Sequence, residues 1–184
     1  MFKKNLKKIL AEIDAVLSKT EEKEVLILME ELIKAKTIIA VGAGRVGMAA
    51  RGFAMRLGHL GFKAFTLGDS TVPSLGKNDL LLVCSGSGET QTIFDLAAIA
   101  KNNGSKIALI TGNKKSRIGK LSNVIVEIKA PSKTKSIKGF NSIQPMTALN
   151  EQCLNIFFDT VVLLLMRRLN ENHKTMWRRH SNLE

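Results

Sequence analysis

Leu80–Thr90, LLLVCSGSGET, runs five apolar residues straight into a turn of glycines and hydroxyls. A run with no polar alternation reads as a strand covered on both faces, which is the habit of a parallel sheet. Upstream, Thr37–Gly47, TIIAVGAGRVG, repeats the pattern: a short apolar run, then a glycine-rich turn that opens a helix. Downstream, Lys106–Ile110 and Val124–Ile128 read as two more buried strands, and Lys63–Leu67 as another between the first two runs. Helices are expected between them at Arg45–Leu60, Thr90–Asn103 and near Ser116–Leu121, the first two ended by Gly61 and Gly104.

Alternating strands and helices of this kind predict an α/β fold: a three-layer α/β/α sandwich on a five-stranded parallel sheet. Right-handed crossovers give the strand order 2-1-3-4-5, the flavodoxin-like arrangement. In that order the winding reverses between strands 1 and 3, and a crevice opens at their carboxyl ends. The loops leaving those strands are GAGRVG, Gly42–Gly47, and SGSGET, Ser85–Thr90.

Two amphipathic helices are expected in residues 1–35, on the stripe Phe2, Leu6, Ile9, Leu10, Ile13, Leu17 and on Val25, Leu26, Leu28, Met29, Leu32. After the α/β core, 36–129, comes a charged loop, Lys129–Ile143. Gln144-Pro145 is then expected to open a long helix to about Asn170, and a short last helix to carry Trp177 and His180. The whole, 1–184, reads as one domain.

The chain has 184 residues, 45% of them hydrophobic, enough for a full core. No secretory leader or membrane span is expected: the most apolar run, Ile156–Met166, is broken by Asp159 and Thr160. The two cysteines, Cys84 and Cys153, lack metal-ligand spacing and read as small core residues of a cytoplasmic protein. A net charge of +12 raises the question of nucleic acid, but the basic residues are dispersed and there is no tyrosine for a base-stacking platform. Neither a nucleic-acid nor a membrane partner is expected; the basic surface suits attraction of an anionic small substrate.

Taken alone, GAGRVG fits the dinucleotide fingerprint. That fingerprint also calls for an acidic residue at the end of strand 2, and Asp69 lies two residues beyond it, in a turn. SGSGET favours a different ligand. Ser85, Ser87 and Thr90 supply hydroxyls, Gly86 and Gly88 let backbone N–H groups face inward, and the following helix N-terminus attracts anions. Such a nest suits a compact monophosphate.

These residues resemble the phosphate loop of the sugar isomerase (SIS) domain family. Within it, the likeness is to the branch that isomerises phosphohexuloses in the ribulose monophosphate pathway. It is carried by GAGRVGMAARGFAMRLGHLGF (Gly42–Phe62), VCSGSGET (Val83–Thr90), SIQPMTALNEQ (Ser142–Gln152) and RHSNLE (Arg179–Glu184), in family order. The sequence departs from the family pattern at Val46, where serine usually follows the loop arginine, and at Thr147–Asn150, where G-x-L-F is usual.

The resemblance implies interconversion of D-arabino-hex-3-ulose 6-phosphate and fructose 6-phosphate through a cis-enediolate, without metal or other cofactor. It implies Glu151 as the base. The catalytic acid or proton shuttle falls to His180, which matches a histidine that related isomerases bring from an adjacent subunit, or to His59. The latter lies fourteen residues along its helix from Arg45, roughly 21 Å from its own chain's first loop. Substrate binding is assigned to Gly42, Gly44, Arg45, Ser85, Gly86, Ser87, Gly88, Glu89, Thr90 and Gln144. A homodimer or homotetramer is expected from the surplus of apolar helix surface. The alternatives are an arabinose 5-phosphate-type aldose–ketose isomerase, or a non-catalytic sugar-phosphate-binding module, which would have no need of Glu151.

Overall fold

The computed structural model describes residues 1–131 and 140–183. The middle of the charged loop expected over 129–143, and the final Glu184 of the RHSNLE segment, lie outside the described residues. Five parallel strands form one sheet: β1 (Ile38–Gly42), β2 (Ala64–Thr66), β3 (Leu80–Cys84), β4 (Lys106–Thr111) and β5 (Val124–Glu127). Their order is β2-β1-β3-β4-β5, as the crossover rule predicts.

The alternation of side chains along each strand divides the core in two. Ile38, Ala40, Leu80, Leu82, Ala108 and Ile110 face one side, against α1 (Phe2–Leu17), α2 (Glu22–Lys34), α3 (Gly44–His59) and α6 (Ala148–Arg168). Ile39, Val41, Leu81, Val83, Ile107 and Leu109 face the other, against α4 (Gln91–Asn102) and α5 (Arg117–Leu121). β1 and β3 pair in register from Ile38↔Leu80 to Gly42↔Cys84. Two adjacent strands therefore end side by side, and α3 and α4 depart to opposite faces of the sheet. The crevice is that divergence.

The close start of α3 depends on Gly47. A Cβ there would lie 2.4 Å from the carbonyl oxygen of Gly42, so the helix meets the end of β1 backbone to backbone. Gly44 turns the chain between them in the left-handed region, φ +58.

α6 is long and apolar enough by length and mean hydropathy (1.3) to cross a bilayer, yet Phe157, Phe158, Val161 and Leu165 bury it in the core. Its stacking contact to α3, Phe53 on Phe158 at 4.2 Å, ties the two helices together. The start of α6 corrects the expectation from Gln144-Pro145. Met146 adopts φ 58, which no right-handed helix accommodates, so the helix begins only at Ala148. The segment before it is held instead by α1: the Glu12 carboxylate accepts bonds from Ile143 N, Ser142 Oγ and Gln144 Nε2 at 2.7 to 2.9 Å. The last helix, α7 (His173–Trp177), is set by an Asn172 capping box and ends before His180, which lies in the turn after it.

Candidate active site

A crevice of about 210 Å³ lies where the strand order reverses, lined by Ala43–Val46, Cys84–Ser87, Thr90, Thr147, Asn150 and Glu151. Three helices point their N-termini into it: α3, α4 and α6. None of the three carries a side-chain cap bond, although Thr90 and Thr147 stand at N-cap positions. Uncapped first-turn N–H groups are partial positive charges awaiting an acceptor.

The β3–α4 loop is held open by its own hydroxyls. Ser85 Oγ accepts from Gly88 N at 3.1 Å, and Ser87 Oγ accepts from Glu89 N at 3.2 Å. The backbone N–H groups of Gly86, Ser87 and Thr90 have no acceptor among the described residues. That set of unpaired donors, beside a helix N-terminus, could hold a compact anion.

On the opposite wall stands Glu151, in the first turn of α6 rather than well inside it, and 8% exposed. Thr147 Oγ1 donates to Glu151 Oε1 at 3.1 Å, and Arg45 Nε lies 3.0 Å from Oε2. The arginine approaches off the N–H direction, so it supplies charge at ion-pair distance while Oε2 carries no hydrogen bond among the described residues. One carboxylate oxygen is thus fixed in orientation, and the other is covered by a guanidinium that is itself largely exposed. Such a carboxylate can take up a proton once the arginine moves.

Of the residues singled out from sequence, the crevice brings together Gly44, Arg45, Ser85, Gly86, Ser87, Thr90 and Glu151. Gly42 and Gly88 stand behind its wall as packing glycines. A Cβ on Gly42 would meet Cys84 O at 3.0 Å, and one on Gly88 would overlap Ser116 Oγ at 2.0 Å. Glu89 turns away to Arg117, accepting from its backbone N and its Nε at 2.9 Å each; those bonds hold its carboxyl below the usual range. Gln144 is buried against Glu12 and is absent from the crevice lining, because the turn at Met146 separates it from α6.

His59 and His180 meet each other instead, with ring centroids 5.0 Å apart. They line a separate hollow of about 450 Å³ with Arg56, Asp159, His173 and Trp177, at the far end of α3. Arg179 fastens the tail there, bonding His59 O at 3.1 Å and Glu171 through both guanidinium nitrogens. Thr147 and Asn150, which the sequence marks as a departure from the family pattern but which carry no assigned role there, line the crevice as well. Cys84 also reaches the crevice, but burial pushes its thiol far up and leaves it inert as a nucleophile.

Residues 31–165 match the SIS domain family, and the chain belongs to that family of sugar-phosphate isomerase folds. It is 40% identical over 157 residues to the 3-hexulose-6-phosphate isomerase of Bacillus subtilis, covering 85% of both chains. It is 38% identical over 158 residues to the protein of that name in Methanocaldococcus jannaschii, covering 85% of this chain and 82% of the relative. A crystal structure from Methanococcus jannaschii, described as inferring a 3-hexulose-6-phosphate isomerase function, superposes with a TM-score of 0.85. It is 32% identical and covers 98% of this chain and 99% of its own.

Proposed function

We propose that this chain interconverts D-arabino-hex-3-ulose 6-phosphate and fructose 6-phosphate. The observation that carries this reading is the pairing, across one crevice, of a phosphate nest at Gly86–Thr90 with a carboxylate, Glu151, whose Oε2 has no hydrogen bond among the described residues and is covered by Arg45. The names of the relatives supply the sugar; the crevice supplies the two functions such a sugar needs.

In this reading the phosphate seats on the N–H groups of the β3–α4 loop and the Thr90 hydroxyl. Arg45 turns from Glu151 toward the incoming anion and uncovers Oε2. Glu151 removes the C2 proton; the electrons form the C2–C3 double bond of a cis-enediolate as the C3 carbonyl becomes an oxyanion. Return of that proton to C3, as the C2 hydroxyl proton passes to the C3 oxygen, leaves the carbonyl at C2 and a hydroxyl at C3. Arg45 and the three helix N-termini stabilise the enediolate charge.

The hydroxyl protons need a shuttle, and among the described residues the crevice lining contains no histidine. The pair His59 and His180 lies at the other end of α3, which suits delivery to a neighbouring copy in a homodimer or homotetramer. Exposed apolar residues along the same helices, Met48 and Met55 on α3 and Ile156 and Leu163 on α6, favour such an assembly. Two free, buried cysteines suit the reducing cytoplasm.

The test is to supply hexulose 6-phosphate and follow fructose 6-phosphate with the purified chain. Turnover supports the reading. Binding without turnover would make the chain a sugar-phosphate sensor instead, and preference for arabinose 5-phosphate would make it an aldose–ketose isomerase.

A further inference from the structure

We infer that Asn150 selects the substrate by bonding a hydroxyl of the carbon chain between its phosphate and its reacting carbons. The inference rests on the isomerase reading above and assigns the part of the crevice that the reading leaves unused.

Asn150 is 7% exposed and lines the crevice, yet its carboxamide makes no hydrogen bond among the described residues. Of the other polar groups on the two facing walls, the Thr90 hydroxyl and Glu151 Oε2 are without a hydrogen bond among the described residues, and the reading above already gives each a part. Ser85 Oγ and Ser87 Oγ accept from their own loop, Thr147 donates to Glu151, and Arg45 covers Glu151. An amide held in a crevice wall without a protein partner is completed there by water or by a ligand, which makes it available to read one.

Its position says which part of the ligand. A Cβ built on Gly86 would lie 2.9 Å from Asn150 Nδ2 and 3.5 Å from Oδ1, so the amide rests directly over the phosphate loop. Its neighbour in sequence is Glu151. The group therefore sits between the phosphate nest and the base. In a 6-phosphate that reacts at C2 and C3, the atoms spanning that interval are C4 and C5 with their hydroxyls. Nδ2 can donate to a hydroxyl oxygen and Oδ1 can accept its proton, so one amide reads a hydroxyl in both senses. Glycine at 86 is what gives the amide this seat; a larger residue would displace it.

The test uses N150L, which keeps the branched shape and removes both polar atoms, and N150A, which serves if leucine crowds Gly86. For each, KM for hexulose 6-phosphate should rise about three- to ten-fold, the loss of one or two hydrogen bonds. The inhibition constant of inorganic phosphate should stay unchanged, because phosphate alone does not reach the amide. An unchanged KM in both variants overturns the inference. So does a parallel rise in the phosphate constant, which would place Asn150 on the phosphate itself.

If the wild-type chain fails to turn over the sugar, the isomerase reading fails separately. The inference is then read from the thermal shift given by fructose 6-phosphate beyond that given by inorganic phosphate. That excess should be present in the wild type and lost in both variants; an excess retained in the variants, or missing from the wild type, overturns it.

Discussion

Arg45 Nε stands 3.0 Å from Glu151 Oε2, across the gap between the first turn of α3 and the first turn of α6. The two residues are more than one hundred positions apart, and both sit at helix N-termini that open on the same crevice. The pair sets a closed resting state for the carboxylate. It also makes the two residues interdependent, which separates their variants in a measurable way.

E151Q should lower kcat by about 10²- to 10⁴-fold, the usual contribution of a positioned base. Exchange of the substrate C2 proton with solvent, followed by NMR in deuterated water, should fall in parallel. Exchange at the wild-type rate would remove Glu151 from the role. T147V leaves the carboxylate in place but loses the bond that orients Oε1. Its kcat should fall only about two- to ten-fold, with KM little changed.

Delivery of histidine from a neighbouring copy has a distinct signature. E151Q and H180A should each be nearly inactive alone, with H59A tested in the same way. Co-refolded mixtures of E151Q with the active-site histidine variant should recover activity, because some assemblies then hold one intact site. Mixtures that stay as inactive as their components would show that each chain completes its own site.

Glu12 holds the segment that leads into α6. Burial opposes its charge, but the bonds from Ile143, Ser142 and Gln144, with Lys8 nearby, outweigh it and lower its pKa below 4.5. A carboxyl lowered on folding stabilises the protein above its unfolded value, and that contribution is lost as pH falls through the folded value. The wild type should therefore lose melting temperature below about pH 4.5 more steeply than E12Q. E12A, which leaves several donors unsatisfied, should be destabilised by about 1–3 kcal/mol at neutral pH in urea unfolding. Its kcat should fall as well, since Thr147 and Glu151 follow directly from that segment.

G47A places a methyl group 2.4 Å from Gly42 O, a backbone atom that cannot turn aside. The start of α3 must move, and Arg45 with it. A loss of stability of about 1–3 kcal/mol or more is expected, with KM raised in whatever fraction folds. G52A, on an open stretch of the same helix where a Cβ meets nothing within 4 Å, serves as the control and should be neutral or slightly stabilising.

The sheet was readable because its strands are continuous apolar runs punctuated by glycine, and because the handedness of crossovers leaves few orders to choose from. The two loops followed from the order. What sequence periodicity did not give was the entry to α6. Pro145 is a common helix opener, but the left-handed Met146 intervenes, and the residues just before it are held by a partner, Glu12, that is more than one hundred residues away. The error displaced Gln144 into the site and left Thr147 and Asn150 without an assigned role in it. Gly88 and Glu89 failed for a related reason. A motif names the residues of a loop, while the side of the loop that faces ligand is decided by what packs behind it, here Ser116 and Arg117.

The bonds from Glu12 to residues 142–144 also bear on the order in which the molecule becomes competent. An element made early steadies the entry to a helix made more than one hundred residues later. The glutamate wall needs both. The phosphate loop is complete in sequence once α4 is made, whereas the base is added only with α6. Ligand capture and chemistry thus ripen at different moments of synthesis, with the opening helix as the piece that unites them.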